Sequence, residues 1–268
     1  MLLQRKFARL KRIISGYRSC VVAFSGGVDS ALLLKVCSLV LPEKDILALT
    51  AVSATYPGGE LAKARLLARE IGVRLKVVRT FELGKVDFSR NSARRCYFCK
   101  KELFSRLASI AKSKKLKFIL EGSNASDKED YRPGDAAKKE LGIKSPLLEA
   151  GLRKQDVRIL SKKLGLPSWD KPSLACLASR IPYGIKITPV ILRRIDRAER
   201  YLTGIGVKQA RLRHYGSLCR IEADARSAAR ILRKRLEIVN RLKRLGYSYI
   251  TLDLEGYRTG SLNEVINR

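Results

Sequence analysis

Acidic residues are scarce in this 268-residue chain. Asp and Glu total 25 against 56 Lys and Arg, a net charge of +31. A field of that sign attracts polyanions such as nucleic acid, nucleotides and acidic or phosphorylated small molecules. A lysine- and arginine-rich proteome is an equal explanation of the same excess. Long apolar runs are also missing. None reaches the roughly 18 to 20 residues that cross a bilayer, which excludes a membrane helix. Met1 to Ile14 carries Arg5, Lys6, Arg9, Lys11 and Arg12 without the apolar core of a secretory signal, so a cytoplasmic location is expected. Histidine is almost absent: His214 stands alone, outside any metal-ligand spacing, and is expected to hydrogen-bond locally. Internal repeats and low-complexity tracts are lacking too.

What is present is a core. Hydrophobic residues make up 46% of the chain, enough to set disorder aside. Residues 1–18 suit a basic helix with Phe7, Leu10, Ile13 and Ile14 on one face. Cys20 to Phe24 is a continuous apolar run, as a buried parallel strand requires. A helix over 29–40 follows, then a strand over 46–52, the Tyr56-Pro57-Gly58-Gly59 turn, and a helical stripe at Leu61, Ala64, Leu67, Ala68 and Ile71. Strands over 74–78 and 118–120 complete the series. Strands alternating with helices predict an α/β fold whose parallel sheet is flanked by helices. Residues 123–146 and 166–188 are long irregular connections, of the kind that carry function or move. Thr188-Pro189 then forms a helix start, an N-cap followed by proline at the first helical position. Strands over 207–214 and 218–224, a basic helix with Leu232, Leu236, Val239 and Leu242 inward, and a strand over 247–254 predict a smaller α+β domain. The expected domains are 1–180, for the sheet, and 181–268, for substrate binding and oligomerisation.

The loop Ser25-Gly26-Gly27-Val28-Asp29-Ser30 follows a buried strand and opens a helix. That placement aims several backbone N–H groups and the positive helix end at one point. The glycines admit close approach of an anion, and Ser25 and Ser30 add hydroxyl donors. The Walker spacing and its lysine are missing. The hexapeptide resembles the PP-loop of the ATP pyrophosphatase superfamily. That resemblance implies cleavage of ATP between the α and β phosphates with Mg2+, pyrophosphate release and an adenylated intermediate, with Asp29 serving phosphate and metal geometry. In such folds ligands lie at the carboxyl ends of the strands, which makes Ala51 and Gly122 candidate neighbours of adenine or ribose.

Of six cysteines, Cys20 and Cys37 read as small buried hydrophobes, and Cys219 has no evident partner. Cys96 and Cys99 form a C-x-x-C flanked by Arg94, Arg95, Lys100 and Lys101, cations that favour thiolate. A redox pair belongs directly after the first strand, where this one is not. A zinc site lacks two nearby soft ligands, with only Cys176 and distant His214 to supply them. An iron–sulfur cluster normally takes four cysteines, and three would leave one iron open. A structural role for each thiol remains an alternative. Cys176 lies in a proline-punctuated loop beside Ser179 and Arg180, where presentation to a ligand is expected.

The PP-loop, the Arg95-Cys96-x-x-Cys99-Lys100 block, Gly122-Ser123-Asn124-Ala125, Asp130-Tyr131-Arg132-Pro133-Gly134 and Glu149-Ala150-Gly151-Leu152-Arg153-Lys154 together resemble the LarE family. So do Trp169-x-Lys171-Pro172 with the Cys176 block, and Arg211-x-Arg213-His214. The resemblance runs from about residue 5 to about 255. It implies an ATP-dependent sulfurtransferase acting on pyridinium-3,5-biscarboxylic acid mononucleotide, in the synthesis of the nickel-pincer cofactor of lactate racemase. ATP adenylates a substrate carboxylate and sulfur displaces AMP. In members with one active-site cysteine, the residue matching Cys176 gives up its own sulfur and becomes dehydroalanine. Members with three, matching Cys96, Cys99 and Cys176, hold a 4Fe–4S cluster, and this route is preferred here because the sacrificial one leaves Cys96 and Cys99 without a task. Glu199 matches an acidic position of the family's active site. Arg211 and Arg213 alternate on one strand face and suit phosphate and carboxylate; Ser179, Arg180 and Lys154 are further anion contacts. A homo-oligomer is expected. The rival reading is a transfer-RNA thiolase, favoured by the charge and by the basic helix, though no RNA-binding module is visible. A PP-loop amidotransferase-type synthetase and a nucleotide-binding adaptor are the remaining alternatives.

Overall fold

The computed structural model describes residues 1–129, 133–172, 175–258 and 260–264. In chain order the first elements are α1 (Leu2–Tyr17), β1 (Cys20–Ala23), α2 (Val28–Val40), β2 (Ile46–Val52), α3 (Glu60–Ile71) and β3 (Leu75–Arg79). Then come α4 (Val86–Ser89), α5 (Arg95–Ser113), β4 (Phe118–Leu120), α6 (Gly134–Glu140), α7 (Pro146–Glu149) and α8 (Lys154–Lys163). The chain continues with α9 (Pro189–Gly204), β5 (Ala210–Tyr215), β6 (Leu218–Ala223), α10 (Ala225–Arg233), α11 (Arg235–Arg244) and β7 (Tyr249–Leu252). Two compact units are formed. One comprises Met1–Ser53, Gly59–Glu82 and Cys96–Leu174; the other comprises Ala54–Gly58, Leu83–Arg95 and Ala175–Arg268.

The first unit is the expected α/β layer. Its sheet has the order β3-β2-β1-β4, every pairing parallel. Alternate side chains leave opposite faces of a strand, and both faces here are covered. Cys20, Val22, Ile46, Ala48 and Leu120 join a core with α1, α2, α3 and α8. Val21, Leu49, Val78 and Ile119 join a second core with Phe104, Leu107 and Ala111 of α5. This two-sided burial is why β1 reads as an unbroken apolar run. Because β2 and β4 flank β1 on opposite sides, the crevice at the carboxyl end of β1 is the place where a ligand is expected. Cys20 and Cys37 are buried in this core with their Sγ atoms 4.0 Å apart.

The second unit carries a sheet of order β5-β6-β7, antiparallel at β5–β6 and parallel at β6–β7. Thr188 caps α9 as expected, its hydroxyl accepting from the Ile191 N–H at 3.2 Å. Leu192, Ile195, Ala198 and Leu202 are buried along that helix. The expected single basic helix is instead two, α10 and α11, separated at Lys234. Ile231, Ile238 and Leu242 point inward, whereas Leu232 and Leu236, expected inward, are 56% and 72% exposed. The break shifts the phase of the apolar stripe, so one continuous 3.6-residue period misassigns them. Cys219 is fully buried, and burial pushes its thiol up to about 12. No helix among the described residues is long and apolar enough to cross a membrane.

Candidate functional site

In the first unit, β1 ends at Ala23 and α2 begins at Val28, so the Ser25–Ser30 loop is a tight strand-to-helix turn. Gly26 adopts φ +71°, and a Cβ there would lie 3.1 Å from the Ala64 Cβ of α3. Both the backbone conformation and the neighbour demand glycine. The loop is internally bonded. Ser25 and Ser30 hydroxyls are 3.2 Å apart, and the Ser30 hydroxyl donates to the Gly27 carbonyl at 3.1 Å. Thr50 on β2 donates to the Phe24 carbonyl at 2.7 Å and pins the turn's entry. No side chain caps α2, and the first N–H groups of a helix lack intrahelical partners and project along its axis, as anion binding requires.

Gly122, one residue beyond β4, is brought against this turn. A Cβ on it would meet the Ser30 amide nitrogen at 3.0 Å and the Asp29 carbonyl carbon at 3.2 Å. Asp29, in the first turn of α2, is held from two sides. Asn124 donates to it at 3.0 Å and the Lys154 ammonium at 2.5 Å. Lys154 therefore contacts the Asp29 carboxylate beside the cradle. Ala51 is half-buried near the carboxyl end of β2.

Beside the cradle, Glu121 is buried at the end of β4. It accepts from Ser123, Ser145 and Lys138. Burial alone would raise its pKa, but Lys138, Lys100 and the two hydroxyls hold it below the ordinary carboxylate range. Cys96 and Cys99 stand one turn apart at the start of α5, Cys96 exposed and Cys99 half-buried. Gly134 packs against that turn, its Cβ position 2.9 Å from the Lys100 side chain and 3.5 Å from the Cys96 carbonyl. Asp130, Tyr131 and Arg132 of the same motif lie outside the described residues, as do Ser173 and Leu174 of the Cys176 block.

In the second unit, half-buried Cys176 immediately precedes a 3-10 turn over Leu177–Arg180. Its carbonyl accepts from the Ser179 hydroxyl at 2.7 Å, the Ser179 N–H at 3.0 Å and Arg180 Nη1 at 3.0 Å. Arg180, 2% exposed, forms a two-pronged ion pair with Glu199 on α9, both contacts 3.0 Å. Glu199 also accepts from the Leu212 N–H of β5 at 3.0 Å. Arg213 donates to the Ser179 carbonyl at 2.8 Å, to Glu222 at 2.6 Å and to Ser261 at 2.8 Å. Arg180 and Arg213 make these contacts within the protein, and Glu199 is the counter-ion of Arg180. Arg211 is half-buried, with its guanidinium 5.4 Å from the Tyr257 ring centroid. Burial, then repulsion from Arg180, lowers its pKa. His214 hydrogen-bonds locally, Nδ1 lying 3.2 Å from the Tyr247 hydroxyl.

Pyridinium-3,5-bisthiocarboxylic acid mononucleotide synthase of Lactiplantibacillus plantarum is 34% identical over 266 residues, 99% of this chain and 96% of its own length. The chain belongs to the LarE family. An uncharacterized Synechocystis protein is 40% identical over 269 residues, the full length of both chains. An uncharacterized Methanocaldococcus jannaschii protein is 28% identical over 242 residues, 90% of this chain and 92% of its own. No family model matches the chain.

Two residues of the first unit, Asn124 and Lys171, and one of the second, Asn91, have structural roles that the sequence pattern does not assign. Asn124 positions Asp29, Lys171 donates to the Gly26 carbonyl at 3.1 Å, and Asn91 organises the segment after Cys176. Asn91 is fully buried at φ +58°. Its amide nitrogen donates to the carbonyls of Pro182 and Ile185 at 2.7 and 2.9 Å. Arg95 donates to its side-chain oxygen. The first two residues lie within motifs quoted for the family; Asn91 offers no local signal. Among the described residues, no group of three or more His, Cys, Asp or Glu side chains is placed to hold a metal ion.

Proposed function

We propose that this LarE-family protein is an ATP-dependent sulfurtransferase that converts a carboxylate of pyridinium-3,5-biscarboxylic acid mononucleotide to a thiocarboxylate, in nickel-pincer cofactor synthesis in the cytoplasm. The observation that carries the reading is the Ser25–Ser30 turn: a helix-start anion cradle with Asp29 held by Asn124 and Lys154, in a chain 34% identical to a pyridinium-3,5-bisthiocarboxylic acid mononucleotide synthase. Backbone N–H groups of the turn bind the phosphates of ATP. The substrate carboxylate attacks the α-phosphorus, the α–β bridge breaks and pyrophosphate leaves. Stabilising the charge on that leaving group is the cradle's contribution. Sulfur then attacks the acyl carbon, and AMP departs with the former carboxylate oxygen.

Asp29 offers one partly exposed carboxylate beside the phosphate cradle, a set that fits Mg2+, an ion commonly held by one or two carboxylates together with substrate phosphates. Mg2+ there would neutralise developing phosphate charge. Lys154 is the charge partner that Asp29 would exchange for it. Cys96, Cys99 and Cys176 are accessible and outside any disulfide, and thiolate is the donor an iron–sulfur cluster takes. A 4Fe–4S cluster would need all three thiols gathered at one point, an arrangement not found among the described residues; so held, it would supply the sulfide to be transferred. Ser179, Arg180, Glu199 and Arg213 act on Cys176 by fixing the loop that carries it, and Arg211 supplies positive charge for substrate phosphate or carboxylate.

Anaerobic purification with iron and sulfide analysis, followed by mass spectrometry of protein and product after turnover with ATP, tests this reading. Thiocarboxylated product, stoichiometric AMP and pyrophosphate, iron, and an intact chain are expected. Loss of the mass of hydrogen sulfide from Cys176 instead means that Sγ has left Cβ, with dehydroalanine behind. Absence of thiocarboxylate in every case refutes the function.

A further inference from the structure

The cradle has a buried support that the reaction described above does not use. Lys171 reaches Gly26 across 145 positions of sequence and donates to its carbonyl at 3.1 Å. The same ammonium donates to Glu60 at the start of α3, at 2.7 Å, and Glu60 also pairs with Lys63 at 2.8 Å. Glu60 is 8% exposed. Burial pushes its pKa up, and the two lysines more than offset this, so it stays ionised. Lys171 is itself anchored. Arg158 on α8 donates to the carbonyls of Lys171 and Trp169, both at 3.2 Å, and α8 is rooted in the core by Val157 and Leu160.

A trans peptide is planar, with its C=O and N–H pointing in opposite directions. Holding the Gly26 oxygen towards Lys171 therefore aims the Gly27 N–H the other way, towards the Ser25 hydroxyl, to which it donates at 3.3 Å. That is the hydroxyl side of the turn, where phosphate is expected. Glycine at position 26 leaves this peptide free to flip in the absence of a restraint. We propose that Lys171, oriented by Glu60, is a positioning residue that fixes the Gly26–Gly27 peptide so that the Gly27 N–H faces the phosphates of the bound nucleotide. The proposal rests on reading the Ser25–Ser30 turn as the nucleotide site.

Calorimetric titration of the full-length protein with inorganic pyrophosphate, and separately with adenosine, provides the test. Lys171→Met loses a charge-assisted hydrogen bond and is expected to weaken pyrophosphate binding about tenfold, with adenosine binding little changed and the thermal midpoint lowered, because Glu60 keeps only Lys63 as its partner. Glu60→Gln separates positioning from direct charge attraction, since it keeps the lysine charge but releases its aim. Weaker pyrophosphate binding by Glu60→Gln, with a shifted Gly27 amide resonance, supports positioning. Unchanged or tighter binding by that variant overturns it, as does wild-type affinity in Lys171→Met. If the wild type binds neither pyrophosphate nor ATP, the nucleotide-site reading itself falls.

Discussion

At the scale of single residues, the cradle depends on two glycines for different reasons. Gly26 is needed for its backbone conformation and for the approach of Ala64; Gly122 is needed for space alone, since its missing side chain leaves room for the Ser30 amide. Gly122→Ala is expected to displace that amide and weaken ATP binding about tenfold while leaving the fold intact; an ATP titration together with a thermal melt checks both halves. Gly26→Ala forces a left-handed backbone on a residue with a Cβ and is expected to lower stability by roughly 1–3 kcal/mol. Chemical denaturation of the variant measures it. The Ser-Gly-Gly-Val-Asp-Ser pattern made the turn legible in the sequence. Asn124 and Lys154 as joint holders of Asp29 were not, because they lie 95 and 125 positions away.

At the scale of elements, the Cys176 turn is held by a neighbouring helix and strand. Arg180 ties the turn to α9 through Glu199, and Glu199 in turn accepts from β5. Arg180→Lys keeps the charge but loses the two-pronged geometry. Breaking a buried pair of this kind costs on the order of 3–5 kcal/mol, and a conservative change is expected at or below the lower figure. The informative measurement is the alkylation rate of Cys176 by iodoacetamide in the Cys96→Ser, Cys99→Ser background. Faster labelling is expected in Arg180→Lys; an unchanged rate would mean that Arg180 does not restrain the turn. The four strands of the first unit and helices α1 to α3 were legible from their apolar patterns, whereas α5, α6 and α8 were not. The α10–α11 break at Lys234 was not, since neither proline nor glycine marks it.

At the scale of the whole molecule, two kinds of titrating group link stability to pH. Burial, with the nearby Arg194 charge, holds His214 below its ordinary 6.5. The unfolded chain therefore takes up that proton first, and stability present above pH 6.5 declines as pH falls below it. Glu60, Glu121 and Glu222 are held below their ordinary 4.5 because their cationic and hydroxyl partners outweigh burial. Their contribution is complete above about pH 4.5 and is lost as pH drops through their lower folded values. Thermal midpoints between pH 8 and 3 are expected to fall gently below 6.5 and steeply below 4.5. His214→Phe is expected to remove the first decline alone. A midpoint flat from pH 7 to 5 in the wild type would contradict the assignment of His214.

The sequence by itself determined the α/β character of the first unit, the place of the phosphate turn, the accessible thiols and the family resemblance, because each is written in contiguous residues or short periods. Only the tertiary structure decided what those residues touch. It placed Lys171 on the Gly26 carbonyl, Lys154 on Asp29, and Arg180 and Arg213 on the Cys176 turn. It also assembled each compact unit from separated stretches of chain. The physical reason is common to all of these. A buried or half-buried charge is stable only beside a partner, and which distant residue supplies that partner is settled when sheet and helices pack, not by spacing along the chain.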